Sequence, residues 1–557
     1  MTQTKQIFFS LSRKIRKFKY LILIISTITA YASGLIGTFV SDDIELIQND
    51  AFYKNETNPL KSFSRSYWKY DRQQNLYRPI PVFFYWCQYK IFSLFFNPNS
   101  IAFQSAFRFF NLLIHIAVVI LLYSVLKKIP LPWSVSFSAA LIFAVHPIHS
   151  EAVIPANGLA ELLCALFLIS SIFFHFKISE NNKFIIPAAF FLIAAFLSKE
   201  HAVIILPIII LYDLLHSKKI MSNVHSFSFK KYIPVWSIYA LSTALVFIMH
   251  KIFLGCFLPD QKNFCPQIDN PLALTTPLLR FISAVKIQGM AILQFIFPIN
   301  LSNDYSYAQI TPCTSLHDPT ALISLFLFIT IPFFCIKIVP DKKHNILFLS
   351  FCFFLSILPA GNFFIPTGTV FAERLQYIPS LFLSAFFAYI LFSLRKIFSL
   401  SFTICLFTLF LTSLTIRTII RTFDWKNPET LAVSAVSTAP KSVKTWNNLA
   451  VIYIRNNKYP EAMAACSKSL AIYQKNTTAY ANRAYAFIAI GDFNAAENDL
   501  KEIIKIEKNN FYANFLHGYI LIHKGLSKQA KHHWNKMLKK YPNNKILINA
   551  LNKLNLD

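Results

Sequence analysis

Across 557 residues the chain is 55% hydrophobic and only 14% charged, with 58 phenylalanines and a mean hydropathy of +0.46. Soluble domains carry roughly 25% charged residues, so this composition excludes a chiefly soluble protein. The net charge of +28, from 54 Lys and Arg against 26 Asp and Glu, implies cytoplasmic loops and anionic lipid headgroups; the basic residues are scattered without a DNA- or RNA-binding motif, so no nucleic-acid partner is expected.

Residues 1–19 are basic and read as a cytoplasmic N-terminus. The apolar run behind them is long enough to span and has no small-residue cleavage site, which suggests an uncleaved signal anchor. Apolar runs recur at 20–40, 103–126, 131–146, 158–176, 184–198, 201–216, 232–253, 321–338, 345–358, 378–394 and 398–416, giving about 11 expected spans in a domain covering 20–417. With this assignment Lys127-Lys128, Lys177 to Lys183, Lys218-Lys219 with Lys230-Lys231, Lys342-Lys343 and Arg395-Lys396 all fall on the N-terminal side, as the positive-inside rule requires. Residues 272–298 are apolar too, but Arg280 and Lys286 and the side parity of the flanking runs favour a surface-lying or re-entrant helix.

The outer loops are then 41–102, 147–157, 254–320 and 359–377, and they hold most of the informative polar residues. Nine cysteines show no CxxC or CxxH spacing, which argues against structural zinc. Cys164, Cys335, Cys352 and Cys405 sit in apolar runs; Cys256, Cys265 and Cys313 share one outer loop, where a disulfide stays open if that side is oxidising.

Beyond Trp425 the chain turns amphipathic, and residues repeat at a period of 34: Trp446, Tyr480 and Asn514; Ala450, Ala484 and Gly518; Asn457, Gly491 and Gly525; Ala462, Ala496 and Ala530. Small residues at these offsets let paired helices approach, which is the tetratricopeptide (TPR) pattern. The expected units are a linker or half-repeat at 424–440, repeats at 443–476, 477–510 and 511–544, and a C-terminal cap at 545–557, with the Lys- and His-rich KHHWNKMLKKYPNNK closing the array. Such an array offers a concave surface for a protein partner.

Asp42 and Asp43 stand just past the first apolar run, where they either mark the solvated end of a helix or do chemistry at the membrane surface. Around them on the outer loops are Glu151, Asp304 and Glu373, the cations Arg78 and Arg374, and the histidines His146 and His149. A transferase using a polyprenyl-phosphate-linked sugar needs such a set: a carboxylate to deprotonate the acceptor hydroxyl and cations to hold the departing phosphate. Duller readings stand beside it. The histidines can cap a helix, Lys199-Glu200 can be a snorkelling pair at a tight turn, Arg78 can anchor a surface segment, and Glu373-Arg374 can pair with each other.

The stretches SDDIELIQND, YRPIPVFF, HPIHSEAVIPANGLAELLCALFLISSIFF, LSKEHAVIILPIIILYDLL, NLSNDYSY and FAERLQYIPS, with the junction RTFDWKNPETLAVSAVSTAPKSVKTWNNLA, follow one another in order along nearly the whole chain. In this the chain resembles the transmembrane-and-TPR O-mannosyltransferases, relatives of the protein O-mannosyltransferases in the GT-C superfamily. The resemblance implies an all-α, polytopic GT-C-like domain followed by a TPR α-solenoid. It also implies a polyprenyl-phosphate sugar donor, inverting transfer to a protein or glycan acceptor, and catalytic Asp42 and Asp43, with Asp42 favoured as base. A divalent cation on the aspartate pair stays open. The Lys-, Asn- and Ile-rich composition fits a multi-pass protein of a bacterial inner membrane with periplasmic repeats. The alternative is a non-enzymatic, membrane-anchored TPR scaffold for envelope assembly. A lipid-linked glycan transporter would need a polar transmembrane path, for which few intramembrane charges are present.

Overall fold

The computed structural model describes residues 3–68, 76–217, 232–254, 267–338, 343–542 and 544–554. It is all-α among these residues and divides into two compact units: Met1–Asn303 with Pro312–Leu431, and Asp304–Thr311 with Ala432–Asp557.

In the first unit, six helices are long and apolar enough to cross a membrane: Ile101–Leu126, Ala156–His175, Ile233–Phe253, Pro277–Ile296, Glu373–Ser393 and Leu400–Asp424. Shorter apolar helices occupy Trp133–Val145, Asn182–Ser198, Pro319–Phe333 and His344–Ile357. Leu241, Ile252, Phe326, Ile329 and Leu409 are each more than 60% exposed, which water would penalise and lipid would not. The chain is an integral, multi-pass membrane protein.

Six helices among the described residues combine spanning length with apolar composition, against about 11 expected spans. Five match expected runs, and the sixth, Pro277–Ile296, is the segment expected to be surface-lying or re-entrant. Its two cations are satisfied within the protein: Arg280 donates to the carbonyls of Leu272, Thr275 and Phe364, and Lys286 to Asp318 at 3.3 Å. Its Gly289 lies against Ser324, where a Cβ would come within 1.9 Å of Oγ. The first run also departs from expectation. The helix Gln3–Tyr31 ends before residue 40, a single 3-10 turn follows at Ala32–Gly34, and residues 37–40 are not helical.

The second unit is built of helix pairs: Val443–Arg455 with Tyr459–Ile472, Thr477–Ala489 with Phe493–Ile506, and Phe511–His523 with Ser527–Lys540, closed by Lys545–Leu554. The 34-residue register has a direct physical basis. Ala450, Ala484, Ala462, Ala496 and Ala530 have no exposed surface, and a Cβ on Gly518 would fall 2.0 Å from Trp534 Nε1. The turn positions Asn457, Gly491 and Gly525 take the left-handed φ values of 58°, 86° and 75°, which Gly and Asn tolerate best. Asp304–Thr311 joins this unit through backbone bonds of 2.7 Å from Ala308 N–H to Lys441 O and from Val443 N–H to Tyr307 O.

Cys313 is a buried free thiol; Cys256 and Cys265, its candidate disulfide partners, lie outside the described residues.

Candidate functional site

The aspartate pair is placed by a buried arginine. Arg108, in the helix Ile101–Leu126, is wholly buried and donates to the carbonyls of Gly34, at 2.9 Å, and Thr38. Thr38 N–H in turn donates to Lys426 O at 3.0 Å. Gly37 is confined between these groups, since a Cβ there would meet Arg108 Nη1 and Lys426 O, each at 2.6 Å. The chain then turns at Ser41, whose φ of 49° is left-handed and costs about 1 kcal/mol or more for a residue with a Cβ. Directly after this turn come Asp42 and Asp43.

The two carboxylates have different surroundings. Asp43 is fully buried; its Oδ1 accepts Asn157 N–H at 2.7 Å and its Oδ2 accepts Val40 N–H at 3.3 Å. Burial pushes its pKa up to about 6 against the opposing pull of the Asn157 N–H and the Arg108 charge. Asp42 is half-buried, and its Oδ2 accepts the Asn157 side-chain amide at 3.3 Å. Asn157 therefore grips both aspartates. It is held in turn by its loop: Asn111 donates to Pro155 O at 2.8 Å, Tyr85 donates to Ala156 O at 3.2 Å, and a Cβ on Gly158 would lie 2.1 Å from Ala152 O.

A cluster of paired charges adjoins Asp42 through Arg374. Arg374 donates its backbone N–H to Glu151 Oε2 at 2.9 Å and Nη1 to Glu151 Oε1 at 2.8 Å, while its charge also acts on Asp42 and Glu161. Arg78 is held by Glu200, with Nε at 3.1 Å from Oε1 and Nη2 at 2.7 Å from Oε2, and lies over the Tyr67 ring at 5.2 Å. Lys199 and Glu161 form a buried ion pair. Tyr67 is in the field of Arg78, Glu161 and Asp42, which ties the parts together.

Of the residues singled out in the sequence, Asp42, Asp43, Arg78, Glu151 and Arg374 thus share one charged neighbourhood. Glu373 and Arg374 do not pair with each other: buried Glu373 accepts Ser302 N–H at 2.6 Å and faces Arg421 at 3.6 Å. Lys199 and Glu200 likewise have separate partners, Glu161 and Arg78. His146 and His149 are fully buried, with every ring nitrogen engaged inside the fold. His146 donates to Phe295 O at 2.7 Å and accepts Ile148 N–H at 3.2 Å as a helix cap. His149 donates to Phe143 O at 2.9 Å and bonds Ser380 Oγ at 2.7 Å. Neither ring has a nitrogen left for a donor phosphate. Asp304 belongs to the second unit, where its Oδ1 accepts Ser442 Oγ–H at 2.8 Å and Ser306 N–H at 2.9 Å.

Sequence reasoning missed Asn157, Arg108, Glu161, Lys199 as a buried pair member, and Tyr67. The signal for Arg108 and Glu161 was present, since each interrupts an apolar run where an ionised group is costly without a partner. Among the described residues no three His, Cys, Asp or Glu side chains gather to hold a metal ion. Asp43 has both oxygens on N–H donors, which leaves Asp42 as the carboxylate of the pair open to a cation.

The tetratricopeptide repeat family matches residues 445–476 and 477–510. The protein O-mannosyl-transferase F38B6.6 of Caenorhabditis elegans is 30% identical over 442 residues, 77% of this chain and 59% of that protein. The human protein O-mannosyl-transferase TMTC3 is 28% identical over 77% of this chain and 49% of its own length, and human TMTC4 is 26% identical over 76% and 62%. The matched part of the chain thus spans from about half to just over three fifths of the length of these curated relatives. Among solved structures, the Archaeoglobus fulgidus oligosaccharyltransferase aligns with a TM-score of 0.41 and 11% identity over 80% of this chain and 59% of that one, a likeness too low to carry an argument. Over about three quarters of its length, this chain is a homologue of the transmembrane-and-TPR protein O-mannosyl-transferases.

Proposed function

We propose that this protein is a GT-C-type membrane glycosyltransferase that moves a sugar, mannose in keeping with its relatives, from a polyprenyl-phosphate donor to a protein or glycan acceptor on the outer face of the membrane. Asp42 is the base and Asp43 the buried support. The observation that carries this reading is the asymmetry of the pair. Asp43 has both oxygens engaged by backbone N–H groups, whereas half-buried Asp42 is held through one oxygen and lies in the field of Arg374.

In the reaction, an acceptor hydroxyl oxygen attacks the anomeric carbon of the donor and the bond from that carbon to the phosphate oxygen breaks. The electron pair leaves with the polyprenyl phosphate, and the hydroxyl proton passes to Asp42. Attack from the face opposite the phosphate inverts the anomeric centre. Arg374 and Arg78 are placed to oppose the charge that grows on the leaving phosphate. The TPR array holds the acceptor or a partner subunit.

The test is turnover of a polyprenyl-phosphate sugar by the full chain in detergent or lipid discs. Positioned base catalysis contributes roughly 10²- to 10⁴-fold, so Asp42→Asn is expected to lower kcat by that factor. Asp43→Asn is expected to act more weakly, through the geometry of its neighbour. Full activity in both variants sinks the enzyme reading and leaves the membrane-anchored TPR scaffold.

A further inference from the structure

Lys199 and His201 of the stretch FLSKEHAV have no role in the reaction as described above, yet His201 carries an unpartnered ring nitrogen in a charged, buried place. His201 is 4% exposed, and its Nε2 has no hydrogen-bond partner among the described residues. A buried polar nitrogen left unpaired costs about 1–3 kcal/mol, so a position that keeps one points to a ligand. The charged groups that act on His201 are Lys199, Glu161, Glu200 and Arg78.

The two cations in that set have unused donors. Lys199 is 6% exposed; its ammonium has three N–H groups, and among the described residues Glu161 is its only side-chain partner. Arg78 places Nε and Nη2 on Glu200 and leaves Nη1 without a hydrogen bond among the described residues. The Arg78–Glu200 pair forms the open side, since the Glu200 side chain is 44% exposed. Lys199 and Arg78 therefore offer charge and His201, in its Nε2–H tautomer, a further donor, and together they suit the oxygens of one phosphate group.

We propose that Lys199, His201 and Arg78 form the seat of the donor's phosphate, with Glu161 and Glu200 holding the two cations in place when it is empty. This rests on the polyprenyl-phosphate chemistry of the proposed function. As the sugar leaves, the phosphodiester becomes a monoester with a further negative charge, and the seat opposes that charge as it forms.

The test is binding to the purified full chain of farnesyl phosphate, with farnesol, phosphatidic acid and inorganic phosphate as comparators. Lys199→Met alone would leave Glu161 charged and unpaired, so the variant is Glu161→Leu with Lys199→Met, which removes both charges together. His201→Phe keeps the ring shape and removes the donor. Loss of a hydrogen bond to a charged group is worth about 1.5–3 kcal/mol, so each variant is expected to weaken farnesyl phosphate binding by roughly 10- to 100-fold with an unchanged melting temperature. Wild-type affinity within twofold in both variants, or equal binding of farnesol or phosphatidic acid, overturns the seat. Retained farnesyl phosphate binding without sugar transfer sinks the proposed function and leaves the seat standing. Transfer with no change of binding in the variants does the reverse.

Discussion

Asn157 donates its backbone N–H to Asp43 at 2.7 Å from a position 114 residues further along the chain. The same residue reaches Asp42 with its side-chain amide at 3.3 Å, and its own Oδ1 is buried without a partner among the described residues. The loop that carries it is packed too tightly at Gly158 to shift. Asn157→Ala keeps the backbone bond to Asp43 and removes the one to Asp42. A hydrogen bond to a carboxylate is worth about 1.5–3 kcal/mol when buried and less when half-exposed, so kcat should fall by about tenfold while thermal stability changes little. An unchanged kcat would show that Asp42 needs no such guide.

Asp43 gives the fold a pH dependence whose sign follows from burial. Its pKa is raised to about 6 in the native state, above the ordinary carboxylate range near 4, so the folded protein binds this proton more tightly than the unfolded chain does. Below pH 4 the penalty is absent; it grows as pH rises and is complete above about 6. Two units correspond to on the order of 3 kcal/mol. Wild type should therefore lose stability relative to Asp43→Asn between pH 4 and 6.5. Thermal unfolding of both proteins across that range reads the difference, and a constant gap would refute the assignment.

What the sequence disclosed depends on how far apart in the chain the partners lie. The repeat register was legible because close helix packing demands Ala450, Ala484 and Gly518 at one offset, and the left-handed turn demands Gly491 and Gly525 at another. The aspartates stood out by their place after an apolar run. Their partners did not, because nothing local links Asp43 to Asn157 or Arg374 to Glu151, 223 residues away. Adjacency misled at Glu373-Arg374: the 3-10 turn Glu373–Gln376 sends the two side chains to Arg421 and Glu151. Hydropathy did not separate the six long apolar helices from shorter ones such as Trp133–Val145, because a helix buried almost throughout is apolar whatever its length.

Glu151 and Arg374 form a pair in which only one member is deeply buried, with 2% and 31% of their side chains exposed. Glu151→Ala removes the acceptor for both the guanidinium and the Arg374 N–H, at a cost of about 2–3 kcal/mol. Arg374→Lys keeps the charge and the backbone bond but loses the planar fork, so it should cost about 1 kcal/mol in stability and considerably more in donor recognition. A raised KM for the polyprenyl-phosphate sugar with a small drop in melting temperature is the expected pattern for the lysine variant. Equal losses of stability in both variants would assign the pair a purely structural role.

Two glycines in the repeats separate backbone strain from overpacking. Gly491 has a φ of 86° and open space where a Cβ would stand, so Gly491→Ala should cost about 1 kcal/mol through backbone conformation alone. Gly518 lies inside the helix Phe511–His523, where alanine would otherwise gain about 1 kcal/mol in helix propensity. Opposing that gain, a Cβ there would meet Trp534 Nε1 at 2.0 Å, and the 1%-exposed indole donates to Phe515 O at 3.1 Å and cannot move without breaking that bond. Overpacking of this kind costs about 1–3 kcal/mol, so the clash should outweigh the propensity gain. Hydrogen exchange over residues 511–540 of the full chain should therefore accelerate in Gly518→Ala, while Gly491→Ala should loosen the turn between Thr477–Ala489 and Phe493–Ile506. Slower exchange in Gly518→Ala would show that the indole yields without cost.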